Sequence, residues 1–384
     1  MSERNDLRIK SSRIITPLSQ KSGYVYVKNG KIVDITDKDL PFEREIDVGN
    51  DYVIAGVVDI HTHGAMGFDY ASASVKEILE AVKFQVKSGA TTVFPTITSS
   101  SYEKIYNALE NIEEAMRDEK WGARIGGAHL EGPYFSPSQC GAQDKTYITE
   151  PKREEYKKII DRFSDIIKRW DYAPERDENG EFCAYLTLHN VLPSAGHTDA
   201  KYEDMLTAQK NGCKLITHLY SCTSTITRNK GFRSLGVIEC AYLFDDMNVE
   251  VIADGKHLPI ELLSLVFKLK DADKIILVSD SLRVTGTQEK RSTVGEIECI
   301  IEDGVCKLAD RSAFAGSIAT AQTLLKTCLQ TGKDMNFAVK TACENPAKLF
   351  GLNRGKIEKG FDADLLVLDS DANVKKVFVN GEEV

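Results

Sequence analysis

Six histidines, one glutamate and one aspartate of this 384-residue sequence stand where short apolar runs end in polar or glycine-containing turns. His61 and His63 form a pair in VVDIHTHG, and His129 and Glu131 follow in AHLEGP. His197 lies in SAGHTDA, His218 in ITHLYS, His257 in ADGKHLP and Asp280 in ILVSDS. A strand alternates its side chains, so residues two apart, such as His61 and His63, share one face. Imidazoles and carboxylates without cysteine make the ligand set of a hydrolytic divalent-metal site rather than a structural zinc knot. A single histidine at a strand end is an ordinary structural residue, but six of them require a common cause. His189, in AYLTLHN, falls in a helical stretch and is assigned no role.

The elements that position these residues are legible as alternating strands and helices between residues 55 and 354. Strands are expected at 57–61, 91–97, 124–131, 165–172, 192–197, 214–219, 249–254 and 274–280, the fourth carrying the weakest signal. Helical stretches such as VKEILEAVKFQVKSG, EEYKKIIDRFS, YEDMLTAQKNG and PIELLSLVFKLKD separate them. Eight strands with helical crossovers predict a (β/α)8 TIM-type barrel, whose chemistry gathers at the C-terminal strand ends. A doubly wound open sheet would spread the same strand ends along a line, where one metal centre could not collect them. Residues 1–54 and 355–384 instead read as short strands with turns, including Asn29-Gly30 and Asn380-Gly381 hairpin signals. They predict a small β-sandwich-like domain built from both termini.

Composition narrows the partners. Lys plus Arg (49) against Asp plus Glu (58) leave a net charge of −9, which gives no reason to expect nucleic-acid or anionic-membrane binding. The nine cysteines are scattered, with no CxxC pair, as in a reduced cytoplasmic chain. The opening MSERNDLRIKSSRI lacks an apolar core for a signal peptide, and no apolar run approaches membrane-spanning length.

The order DIHTHG, HLEGPYFSP, GAQ, SAGHTDA, THLY, ADGKH, VSDS, AGSIATA, NPAKLFGL and GFDADLLVLD resembles the N-acetylglucosamine-6-phosphate deacetylases of the amidohydrolase superfamily over nearly the whole chain. HLEGP followed by GAQ and AGHT is the specific part; His-x-His alone points only to the superfamily. The resemblance implies Glu131, His197 and His218 as the principal metal ligands, a three-ligand arrangement with an open position as in catalytic sites. It implies His61 and His63 as a first-strand pair for a second ion sharing Glu131, hence one or two divalent ions per chain. Zinc, iron and manganese all suit the set. Asp280 matches the general base, and His257 and Gln143 match residues near the substrate and its acetyl group. His129 shares a face with Glu131 and is expected to orient a ligand rather than be one.

The sequence departs from the family where phosphate should bind. Ser221-Cys222-Thr223 replaces the family's Asn-Ala-Met after THLY. Arg228, Lys230 and Arg233 follow as candidates for the arginine that commonly grips phosphate across a subunit boundary in a homodimer. Arg228 leads, with Ser221 as a neutral partner, because a guanidinium suits bidentate phosphate contact. The expected activity is metal-dependent removal of acetate from an N-acetylhexosamine 6-phosphate, N-acetylglucosamine 6-phosphate first. Two alternatives are a related amidohydrolase acting on another N-acyl or cyclic amide, and a non-catalytic sugar-phosphate binder. A cyclic-amide hydrolase would carry a bridging lysine at the end of strand 4, where Lys168 sits too early.

Overall fold

A computed structural model describes residues 4–118 and 124–384; residues 1–3 of the N-terminal β segment lie outside the described residues. The barrel strands are Val57–Thr62, Ala90–Thr98, Ala128–Glu131, Ile167–Tyr172, Leu192–Ala195, Leu215–Ile216, Asn248–Ile252 and Ile275–Val278. Each is parallel to the next, in chain order. The first and last are joined by Asp280 N–H donating to the His61 carbonyl (2.9 Å) and His63 N–H to the Ser281 carbonyl (2.8 Å). The histidine pair and Asp280 therefore stand on the closing seam of the barrel.

The expected third strand is split into Arg124–Ile125 and Ala128–Glu131. Gly126 and Gly127 make the break; a Cβ on Gly127, at φ +150°, would sit 2.1 Å from Lys168 Cγ. The fourth strand forms, with Trp170 fully buried and its indole N–H donating to the Gly132 carbonyl at 2.8 Å. Helix Val75–Lys87 shows how the crossovers are specified. Glu77 accepts from the Ser74 backbone N–H at 2.8 Å to start it, and Ile78, Ala81, Val82 and Val86 face the barrel at helical spacing. Burying such a face contributes roughly 1.5–3 kcal/mol per large aliphatic side chain. The NPAKLFGL motif returns to the barrel, where Phe350 packs edge-on to Phe94 with ring centroids 4.7 Å apart.

Strands from both termini join one sheet. Leu365–Leu368 pairs antiparallel with Tyr52–Ala55, and Asn5–Ile15 pairs with Gln20–Lys28 on one side and with Phe42–Asp47 and Tyr52–Ala55 on the other. Both Asn-Gly turns form with positive φ at both residues (51° and 71°; 51° and 77°), the two-residue hairpin geometry.

One element was absent from the sequence reading. Arg291–Val294, Ile297–Glu302, Val305–Leu308 and Phe314–Gly316 make a four-stranded antiparallel sheet after the eighth barrel strand. Its buried Val294, Cys299 and Cys306 pack with Leu282 and Val284, so it is seated on the loop that follows Asp280. Among the described residues no helix is long and apolar enough to cross a membrane.

Candidate metal centre

Two groups of three ligand-type residues converge at the C-terminal strand ends: Glu131, His197 and His218, and His61, His63 and Asp280. All six are buried, and within each group the ligand atoms lie within 4.8 Å of one another. His197 Nε2 and His218 Nε2 are 3.0 and 3.1 Å from Glu131 Oε1 and 3.1 Å from each other. The second nitrogen of each ring faces a backbone carbonyl: His197 Nδ1 that of Gln139 (2.9 Å) and His218 Nδ1 that of Ser221 (3.1 Å). A carbonyl only accepts, so each Nδ1 carries a proton and each Nε2 is the atom turned toward Glu131. Two imidazole nitrogens and a carboxylate oxygen are thus aimed at one point. That donor set fits a divalent ion.

The second group shares Glu131. His63 Nε2 is 3.4 Å from Glu131 Oε2 and 3.1 Å from Asp280 Oδ1; His61 Nε2 is 3.5 Å from both Glu131 Oε1 and Asp280 Oδ1. His61 Nε2 and His63 Nδ1 are buried without a hydrogen-bond partner. Burial resists a charge on His61, yet Asp280, Glu131 and Glu250 hold its pKa well above the ordinary value, the signature of a pocket that attracts a cation. Burial would also raise Asp280, but His61 and His63 draw its pKa down to about 2, so it is ionised.

The backbone holds these groups under strain. His197, His218 and Asp280 have φ of 48°, 28° and 49°. Each non-glycine residue in this region costs on the order of 1–3 kcal/mol and persists only where its surroundings enforce it. Ser317 of the AGSIATA motif supplies one such constraint: it donates to the Ser279 carbonyl through its hydroxyl, while its N–H donates to the Asp280 carbonyl at 2.9 Å. Phe135 stacks on the His197 ring at 4.5 Å. Gly132, at φ +104°, has no room for a Cβ, which would lie 2.2 Å from Ser99 Oγ; this explains the glycine in HLEGP.

Over the ion-ligand groups opens a cavity of about 240 Å³ that reaches Gln143, Ser221, Cys222, His257 and Phe314. Gln143 is turned onto the carboxylate, its Nε2 donating to Glu131 Oε2 (2.7 Å) while its Oε1 accepts from Ser99 N–H (2.7 Å). His257 Nδ1 is 2.7 Å from Asp254 Oδ2, and its ring meets Phe314 at 5.0 Å. Arg228 is not brought to this cavity by its own chain. It lies exposed on a hairpin of Thr227–Asn229 and Phe232–Ser234, directly opposite Arg233.

His129 sits beneath the ligands, its ring edge-on to His61 at 4.6 Å and its Nδ1 3.0 Å from Thr96 Oγ1. Burial and the nearby Arg169 push its pKa down to about 4, so it is a neutral packing partner. His189 bonds the Tyr185 carbonyl at 2.8 Å on a helix end, away from the centre. Lys168 Nζ donates to the Asp165 carbonyl at 2.7 Å, and among the described residues no lysine lines the cavity. The sequence reading missed Arg169, Asp171 and Glu250, fully buried charges below the ligands. Their signal was available as charges inside the otherwise apolar strands IKRWDY and NVEVI.

The barrel and its clustered ligands define a class of metal-dependent hydrolase, and residues 52–384 match the amidohydrolase family model. The chain belongs to the amidohydrolase family. Within it, N-acetylglucosamine-6-phosphate deacetylase of Bacillus subtilis is 32% identical over 378 residues, 96% of this chain and 94% of that protein. The structure of the deacetylase from Thermotoga maritima matches with a TM-score of 0.87 at 30% identity, covering 98% of this chain and 99% of the other. That of a Mycobacterium smegmatis mutant in complex with N-acetyl-D-glucosamine-6-phosphate matches with a TM-score of 0.92 at 25% identity, over 99% of both chains. The chain is a hydrolase of amide bonds.

Proposed function

We propose that the protein is a metal-dependent deacetylase that hydrolyses the acetamide of an N-acetylhexosamine 6-phosphate, N-acetylglucosamine 6-phosphate above others, to acetate and the free amino sugar phosphate. The observation that carries this reading is the pair of buried ligand groups sharing Glu131 beneath one cavity, with Asp280 Oδ1 3.1 Å from His63 Nε2 at its edge. Glu131, His197 and His218 would hold the principal ion, and His61 and His63 would hold a second together with Glu131. Zinc is the first choice, and iron or manganese suits the same nitrogen and oxygen donors. A bound ion supplies Lewis acidity toward the amide carbonyl.

Asp280 takes the proton of the attacking water and returns it to the nitrogen of the breaking C–N bond. His257, held by Asp254, orients the sugar; Gln143 keeps Glu131 in place and borders the acetyl position. Ser221 and Arg228 receive the phosphate, Arg228 reaching the site of a second copy in a homodimer. Support for that copy comes from the hairpin itself. Arg228 and Arg233 oppose each other across it, a repulsive pairing without an anion, and Phe232 beside them is 81% exposed. The same reading divides the chain into a small β unit of residues 1–54 and 355–384 around a hydrolase body of 55–354. The nine free cysteines suit a cytoplasmic location.

The discriminating experiment measures acetate release from a panel of N-acetylhexosamines with and without a 6-phosphate. A preference for phosphorylated substrates supports the reading. Equal kcat/KM on both sets overturns the phosphate assignment, and activity only on cyclic amides overturns the deacetylase assignment.

A further inference from the structure

Beneath the two ligand groups a fully buried arginine is gripped by two fully buried carboxylates. Arg169 donates to Asp171 Oδ1 (2.9 Å), to Thr217 Oγ1 (3.0 Å) and to both oxygens of Glu250, with Nη2 3.3 Å from Oε2. Glu250 Oε2 also accepts from the backbone N–H of His218 at 3.3 Å and faces His61 Nδ1 at 3.3 Å. Arg169 donates to both Glu250 oxygens and the His218 N–H to Oε2, so donors surround the carboxylate and it serves as an acceptor throughout. An ionised carboxylate only accepts, so His61 Nδ1 must carry the proton that points at it. When the His61 ring is neutral, as a metal ligand must be, its lone pair then lies on Nε2, the atom left without a partner beside Glu131 and Asp280.

We infer that Glu250, clamped by Arg169, is the positioning residue that makes His61 a metal ligand and thereby decides whether the His61–His63 position takes an ion. The inference rests on the two-ion reading above. The Glu131–His197–His218 position depends on it far less. The Nδ1 protons of His197 and His218 are fixed by the carbonyls of Gln139 and Ser221, and Glu250 touches that group only through one backbone N–H. In Glu250→Gln the side-chain shape is kept. The amide oxygen stays with Arg169, and its NH₂ group turns toward His61, where it demands a lone pair on Nδ1 and leaves the proton on Nε2.

The test titrates metal-stripped wild type and Glu250→Gln with zinc against a competing chelator. Two ions per wild-type chain, with the second bound about 10–100-fold more weakly in Glu250→Gln and the first bound as before, is the expected result. Two ions bound equally well by both proteins would overturn the role of Glu250 while leaving the two-ion reading intact. A wild type that binds fewer than two ions would overturn both. A second measurement does not depend on how the variant folds: nitrogen-15 spectra of zinc-loaded wild type labelled at histidine. His61 should show a protonated Nδ1 and a metal-bound Nε2, and a His61 ring protonated at Nε2 would overturn the inference.

Discussion

His197 and His218 turn their Nε2 atoms toward each other at 3.1 Å, while the Nδ1 atom of each ring is held by a backbone carbonyl. Moving the Nδ1 proton would cost either ring its carbonyl bond, so both Nε2 atoms stay aimed at the space beside Glu131, where a cation can be shared. The strained backbone at both histidines is the cost of holding them there.

Glu131 is the carboxylate common to both positions. Glu131→Gln should leave the purified protein with almost no metal by elemental analysis, whereas His61→Asn should keep about one ion per chain, the first position being independent of His61. Full metal in Glu131→Gln would contradict the assignment.

Asp280 is the proposed proton carrier. Asp280→Asn should retain the ion bound by Glu131, His197 and His218 and bind substrate with similar affinity, yet turn over roughly 10²–10⁴-fold more slowly. Steady-state kinetics beside metal analysis separates this from metal loss. A near-normal kcat would pass the proton role to His257.

Most of the barrel strands were legible as short apolar runs, and the ligand residues stood out because five of those runs lead into a histidine or carboxylate at their C-terminal ends. The deep charges left a weaker signal, because charges within IKRWDY and NVEVI look the same in a strand with one solvent-facing side as in one buried on both. The four-stranded sheet over residues 291–316 escaped because its strands are short and mostly half-buried, although Asp303-Gly304 is a hairpin turn with φ of 54° and 79°. Which basic residue serves the phosphate was not legible either. Arg228 acts, on this account, in another copy's cavity, and a single sequence does not encode that distance.

Arg228 should matter to binding rather than to chemistry. Arg228→Ala should raise KM for the phosphorylated substrate by about 10–100-fold, the loss of a charge-assisted hydrogen bond. At substrate concentrations below the KM of Arg228→Ala, mixed dimers of Arg228→Ala and Asp280→Asn chains should turn over faster than either homodimer. No recovery would place Arg228 outside the partner's site.

Lys270 offers a pH test away from the metal. It is buried and donates to the carbonyls of Ala241 (2.7 Å) and Phe244 (2.8 Å) at the end of helix Val237–Leu243. Burial pushes its pKa down from 10.5 to about 8. Between those values the unfolded chain holds a proton that the folded chain has released, so this group's contribution to stability rises with pH from about 8 to 10.5 and is lost as pH falls back. The Tm difference between wild type and Lys270→Met should move in favour of wild type across that window, and a constant difference would contradict it.

This centre should hydrolyse the acetamide of an amino sugar phosphate only when it holds metal. The direct measurement is acetate released from N-acetylglucosamine 6-phosphate by metal-loaded, metal-stripped and zinc-restored protein, with folding checked in each. Turnover is expected in the first, none in the folded second, and recovery in the third. Undiminished acetate release by the folded, metal-stripped protein would contradict it.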